Sequence, residues 1–162
     1  MKALIVYDSV YGNTEKIAQA IGKALNIKKN VERANEVKAD QLTGLKLLII
    51  GSPTHGGRFT QVIKDFLNNR AELSIKGINV AAFDTRTPPS RLGKIFGYAA
   101  VRIADVLKRQ GAILIAEPEG FFVKGIKGPL KEGELERAEN WAKGIVESEL
   151  SRPEYTWNKT NL

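Results

Sequence analysis

The sequence predicts an α/β fold, a three-layer α/β/α sandwich on a five-stranded parallel sheet, and three observations carry that prediction. Five short apolar runs alternate with stretches whose apolar residues recur at helical spacing, the pattern of strands joined by crossover helices. Four of the five runs are apolar at all or all but one position, as strands covered on both faces should be. No internal repeat or linker divides the pattern, and 162 residues is an ordinary length for one domain. The expected organisation is a single domain over residues 1–150 followed by a peripheral tail over 151–162.

Ala3 to Tyr7 is an apolar run that gives way at once to the turn chemistry of Asp8-Ser9-Val10-Tyr11-Gly12-Asn13. From Thr14 onward Ile17, Ala18, Ile21, Ala24 and Leu25 share one helical face, with Lys16, Gln19 and Lys23 opposite. Asn30 to Ala34 reads as a short, weak strand, and Asp40-Gln41-Leu42 as at most a helical turn. Leu45 to Ile50 is the third strand, stopped by Gly51-Ser52-Pro53, and a second helix carries Val62, Ile63, Phe66 and Leu67. Ile78 to Phe83 is the fourth strand, ending at Asp84-Thr85-Arg86-Thr87-Pro88-Pro89. The pattern Leu92, Ile95, Phe96, Ala99, Ala100, Ile103, Val106, Leu107 predicts one long helix, and Ala112 to Ala116 the fifth strand. Beyond a Gly- and Pro-punctuated stretch from Gly120 to Pro129, Glu134 to Leu150 reads as a closing helix with Leu135, Ala138, Trp141, Ala142, Ile145 and Val146 inward. In such sheets ligands bind beyond the carboxyl ends of the strands where strand order reverses, so the loops after strands one, three and four are the places to seek function.

Composition narrows the chemistry. The absence of cysteine excludes disulfides, thiolate nucleophiles and iron–sulfur clusters, and the one histidine, His55, cannot build a metal site alone. No stretch is long enough to cross a bilayer, and the apolar run at the amino terminus is too short for a signal peptide. A cytoplasmic location is the expectation, with Asn158-Lys159-Thr160 a chance sequon. The net charge of +7 is mostly interspersed with acids, but between Arg86 and Lys131 bases outnumber acids, so a basic face belongs there. No helix-turn-helix or aromatic-studded basic sheet points to nucleic acid.

Ser9 to Thr14 joins the first strand to the start of the first helix, offering backbone N–H groups, two hydroxyls and the positive end of a helix dipole. Gly12 permits close approach of a ligand, and the loop contains no Lys or Arg, which suits a singly attached phosphate better than a triphosphate. Taken alone, the same residues also read as a helix cap with a glycine turn.

The loop resembles the phosphate loop of flavodoxin-like proteins, in which a hydroxyl residue soon after the first strand is followed by Gly-Asn-Thr or a close variant. Leu47 to Gly57 and Phe83-Asp84-Thr85-Arg86 are similar to the family's third strand with its flavin-contacting loop and to the junction of its fourth strand with the second flavin loop. About Lys2 to Leu150 can be laid on that fold, and the uninterrupted fifth strand is similar to the short-chain form. The resemblance implies the sheet order 2-1-3-4-5 and bound flavin mononucleotide (FMN). Ser9, Val10, Tyr11, Gly12, Asn13 and Thr14 would then hold the phosphate, and Pro53, Thr54, His55, Gly56 and Gly57, with Thr85, Arg86 and Thr87, would bracket the isoalloxazine. His55 is either a flavin partner or a solvent-facing loop residue; Tyr11 and Phe59 are the candidate aromatic walls, Phe59 reading more readily as core.

Two departures matter. Thr85-Arg86-Thr87-Pro88-Pro89 has neither the ring-stacking aromatic nor the acidic surround of electron-carrier flavodoxins, and Tyr11 stands where many of them carry threonine, more like the quinone-reductase branch. Arg86, if it points at the pyrimidine side of the ring, would raise the midpoint potential; otherwise it makes a surface salt bridge, with Asp84 as the candidate partner. The leading expectation is an FMN-dependent electron carrier. The alternatives are an NAD(P)H-dependent quinone or flavin reductase of the same superfamily and a flavin-free interaction module. Partners are expected to be redox proteins, acidic ones given the basic face, with no membrane insertion and the oligomeric state open.

Overall fold

The computed structural model describes residues 1–69, 74–89 and 97–150. Strand β1 (Lys2–Tyr7), buried from Ala3 onward, lies between β2 (Lys28–Arg33) and β3 (Leu47–Pro53), both parallel to it. β4 (Asn79–Arg86) runs parallel to β3, with Leu47 opposite Asn79 and Pro53 opposite Thr85. The outer position beside β4 is shared by β5 (Ile113–Leu114) and β6 (Glu119–Phe122). The order is β2-β1-β3-β4-β5, the predicted 2-1-3-4-5, with β6 as an additional strand.

Alternation along the strands builds two cores. Ala3, Ile5, Tyr7, Ile49 and Phe83 face helices α1 (Asn13–Ala24) and α5 (Glu134–Leu150). Their neighbours Leu4, Val6, Leu48, Ile50 and Ala82 face α3 (Gln61–Asn68) and α4 (Ala99–Arg109). A short α2 (Ala39–Leu42) confirms the helical turn read around Asp40 to Leu42. Each fully buried Leu, Ile or Phe contributes about 1.5–3 kcal/mol, so continuous apolar runs are needed where both faces are covered. Phe83, Phe121 and Trp141 meet edge to face, with centroids 6.1–6.3 Å apart. Phe83 also lies across Gly51: a Cβ there would come within 2.0 Å of its ring.

Three expectations are corrected. The fifth strand is Ile113–Leu114, not Ala112 to Ala116; seven residues from Ile113 to Glu119 match five from Asn79 to Phe83, so two extra residues bulge out where Pro118 offers no N–H. Pairing then resumes through Glu119–Phe122, in a stretch read from its glycines and prolines as loop. The long helix predicted from Leu92 to Leu107 does not run unbroken, because Gly97 is left-handed at φ 77° and Tyr98 is extended; α4 starts at Ala99. Leu92, Ile95 and Phe96, and the tail over 151–162, lie outside the described residues. Leu135, expected inward, is 45% exposed, while Ala138, Trp141, Ala142, Ile145 and Val146 pack against the core. Among the described residues no helix is long and apolar enough to cross a membrane.

Candidate functional site

Three strands end side by side, and the loops leaving them are tied together before any ligand is considered. The Asp8 N–H donates to the Gly51 carbonyl (3.1 Å) and the Thr54 N–H to the Thr85 carbonyl (2.9 Å). The hydroxyls of Thr14 and Thr85, both buried, meet at 2.7 Å. Ser52, fully buried, donates its hydroxyl to the Pro53 carbonyl and accepts from the Thr60 N–H, which fixes the base of the 53–60 loop. The result is a cleft of about 360 Å³ at the carboxyl edge of the sheet.

The first wall is the β1–α1 loop. Gly12 caps α1 in a left-handed conformation (φ 90°), and no side chain caps the helix. The first N–H groups of a helix have no intrahelical acceptor, so they face the cleft as donors, reinforced by the helix dipole. The Gly12 N–H donates to Ser9 Oγ (3.1 Å), leaving the Ser9 hydroxyl proton to donate outward. Asn13 is turned away from the helix: its amide donates to the Lys127 carbonyl (3.3 Å), and a Cβ on Gly128 would strike it. Arg33, at the end of β2, braces the loop from behind by donating to the Ser9 carbonyl (3.2 Å) and pairing with Glu15 (2.8 Å).

The other walls come from β3 and β4. Pro53, Thr54, His55 and Gly56 line the cleft together with Ser9, Val10, Tyr11, Asn13 and Thr14 from the β1 side and Thr85, Arg86 and Thr87 from the β4 side. Of the residues proposed from sequence, Gly12 and Gly57 are outside the lining; both have positive φ and shape the backbone instead. His55 is exposed and its backbone exchanges two hydrogen bonds of 3.0 Å with Arg58, closing a tight hairpin. Phe59 packs on the core and lines a different cleft, whereas Tyr11 stands at this one, 47% exposed.

Arg86 is committed to Asp84. Its guanidinium forks onto the fully buried carboxylate (2.6 and 2.8 Å) and stacks on the Tyr98 ring, 3.6 Å from the centroid. Asp84 also accepts from the Ala100 N–H (2.9 Å) and from the Thr54 hydroxyl, while Thr54 Oγ1 accepts from the Ala99 N–H (2.9 Å). Burial pushes the Asp84 carboxyl above its ordinary range, and the Arg86 fork, the Ala100 amide and Thr54 offset only part of that. One carboxylate thus joins the β3 loop, the β4 loop and the start of α4, an arrangement that follows from Tyr98 supplying no cap of its own.

Sequence reasoning missed Val123 and Ile126, which complete the lining from the loop after β6. Ile126 is 75% exposed, and with Val10 and Tyr11 it puts apolar surface at the rim of a polar cleft. The signal was an isolated isoleucine in Lys124-Gly125-Ile126-Lys127-Gly128, passed over because the last strand was ended too early. The features fit a phosphate monoester carrying a flat apolar ring: uncapped amides and hydroxyls at one end, exposed apolar side chains at the rim, and a volume within the usual range for cofactors.

The family model described as "Flavodoxin domain" matches residues 4–89. Among solved structures, the chain is similar to a flavodoxin from the domain Archaea, with 25% identity and a TM-score of 0.75 over 91% of this chain and 97% of that one. It is similar to oxidised flavodoxin 2 from Bacillus cereus, with 26% identity and a TM-score of 0.75 over 91% and 99%. A further match, at 18% identity and a TM-score of 0.70, is rubredoxin oxygen:oxidoreductase from Desulfovibrio gigas; it covers 93% of this chain and 37% of that one and shows the shared fold.

Proposed function

This chain belongs to the flavodoxin domain family and is an FMN-binding electron-transfer protein, and from that premise we propose how its own residues hold the cofactor and which partners it serves. Bound FMN supplies reversible one- and two-electron chemistry; the chain supplies binding, orientation and electrostatics. The observation that carries the reading is the uncapped start of α1 at Gly12, opening on a cleft lined by the loops after β1, β3, β4 and β6.

Ser9, the amides of the Asn13 turn and Thr14 hold the phosphate, with the Thr14–Thr85 hydroxyl pair joining the phosphate end to the ring end. Thr54 to Gly56 and Thr85 to Thr87 would flank the ring, and Tyr11 with Ile126, exposed at the rim, would cover its open side. Gly56, with φ 56° and nothing near a hypothetical Cβ, lets backbone groups approach the ring edge. Arg86 acts mainly as the counter-ion of Asp84 rather than as a charge on the ring. The basic stretch from Arg86 to Lys131 favours an acidic redox partner, and the chain works in the cytoplasm.

FMN titration of the apoprotein, followed by flavin fluorescence, tests the site. Saturable quenching is expected in wild type, a large loss in Gly12→Asp, and a much smaller one in Gly12→Asn, which bears similar backbone strain without the charge. Equal loss in both variants would show that the loop's shape, and not its preference for an anion, governs binding. Rapid bleaching of the bound flavin by NADPH would move the assignment from carrier to reductase.

A further inference from the structure

A second cleft, of about 380 Å³, lies between α3 and α4, outside the cofactor cleft. Arg58, Lys64, Arg102 and Arg109 converge on it around Phe59 and Val106. Their spacing is helical: Arg102, Val106 and Arg109 occupy one face of α4, and Gln61 and Lys64 one face of α3. Asp105 is the one carboxylate in the lining, and Lys108 pairs with it at 3.1 Å. Arg58, Lys64 and Arg109 are exposed and enter no ion pair among the described residues.

This basic cleft is joined to the cofactor cleft by a short covalent path and by a hydrogen bond. Arg58 closes the hairpin with His55, which lines the cofactor cleft. α4 starts where the Ala99 N–H meets Thr54 Oγ1, and Arg102 follows about 4.5 Å further along the helix axis. Arg102 and Arg109 stand about 10.5 Å apart along that axis, so the basic lining is longer than one small anion.

We infer that the α3–α4 cleft is the docking surface for an acidic segment of a redox partner protein, held beside the open edge of the flavin. The inference rests on the electron-carrier reading and adds a place and a sign to it. Cations left without counter-ions around a groove steer an acidic partner and repel a basic one, setting association rate and orientation more than raw affinity.

An acidic plant-type ferredoxin serves as probe for the FMN-loaded protein, with two readouts. Amide chemical shifts mapped during titration are expected to move at Arg58, Lys64 and Arg109. In stopped flow, one electron leaves the reduced ferredoxin and one is gained by the bound flavin; this rate is expected to fall roughly tenfold or more in Lys64→Glu/Arg109→Glu at low salt. The same loss is expected in wild type when ionic strength rises from about 0.05 to about 0.5 M. FMN affinity stays unchanged, since neither residue lines the cofactor cleft. Shifts confined to other faces, no shifts, or shifts that survive the charge reversal overturn the docking surface. Shifts at the cleft caused by citrate but not by ferredoxin overturn it in favour of a small-anion site. Shifts at the cleft without electron exchange keep the surface and overturn the carrier reading instead.

Discussion

Removing the Asp84 carboxylate tests the claim that one buried group joins the β3 loop, the β4 loop and the start of α4. Asp84→Ala leaves the Arg86 guanidinium, whose side chain is 14% exposed, without its counter-ion, and the Ala100 N–H without its acceptor. Breaking a buried pair from one side costs about 3–5 kcal/mol, and an orphaned amide about 1–3 kcal/mol. Some of this is recovered, because Arg86 already stacks on Tyr98 and can turn toward solvent. A net loss of about 3–5 kcal/mol remains, a large fraction of the stability of a domain this size. Urea unfolding followed by circular dichroism measures it, and FMN affinity is expected to weaken in parallel because Thr54 loses its anchor. The variant Asp84→Leu/Arg86→Met removes both charges and is expected to be closer to wild type in stability than Asp84→Ala. If the single variant loses under 1 kcal/mol, or the double variant loses as much as both single changes combined, the pair is not the joint described here.

The remaining expectations concern the core and the alkaline limit. Gly51→Ala places a Cβ 2.0 Å from the Phe83 ring, which Phe121 and Trp141 prevent from retreating. Overpacking of this kind costs about 1–3 kcal/mol, a drop in Tm of roughly 2–12 °C; an unchanged Tm would mean that the ring has room to move. Burial, helped by its hydrogen bond to Glu15 and opposed by Arg33, pushes the Tyr7 hydroxyl up to about 12. Because the folded state holds that proton more tightly than the unfolded chain, Tyr7 subtracts nothing below about pH 10, and stability falls as pH rises from there toward 12. Ultraviolet titration of Tyr7→Phe should therefore lose an ionisation step near pH 12 that wild type shows, and the variant should flatten this part of the alkaline decline; loss of a step near pH 10 instead would contradict the burial argument.

Local chemistry made much of this protein legible in its sequence. Continuous apolar runs such as Leu47 to Ile50 can be satisfied only by a strand covered on both faces, and period-3.6 stretches such as Ile17, Ala18 and Ile21 only by an amphipathic helix packed on one. The Ser9 to Thr14 segment was readable for the same reason, since a strand, a glycine turn and a helix start are local properties whose free N–H groups follow from geometry.

Tertiary structure decided what depends on partners distant in the chain. Whether Glu119 to Phe122 forms a strand rests on the end of β4 being available to pair, and nothing within Gly120 to Pro129 announces that. Ile126 reaches the cleft only because that strand carries its loop there, and Arg86 pairs inward only because Asp84 is sealed under α4. The basic cleft is likewise a product of packing. Arg58, Lys64, Arg102 and Arg109 are scattered among acids along the chain, and they act together only when α3 is set beside α4. Hydrophobic period is written residue by residue, whereas the destination of a charge or an edge strand is settled by what lies opposite it, which one sequence does not record.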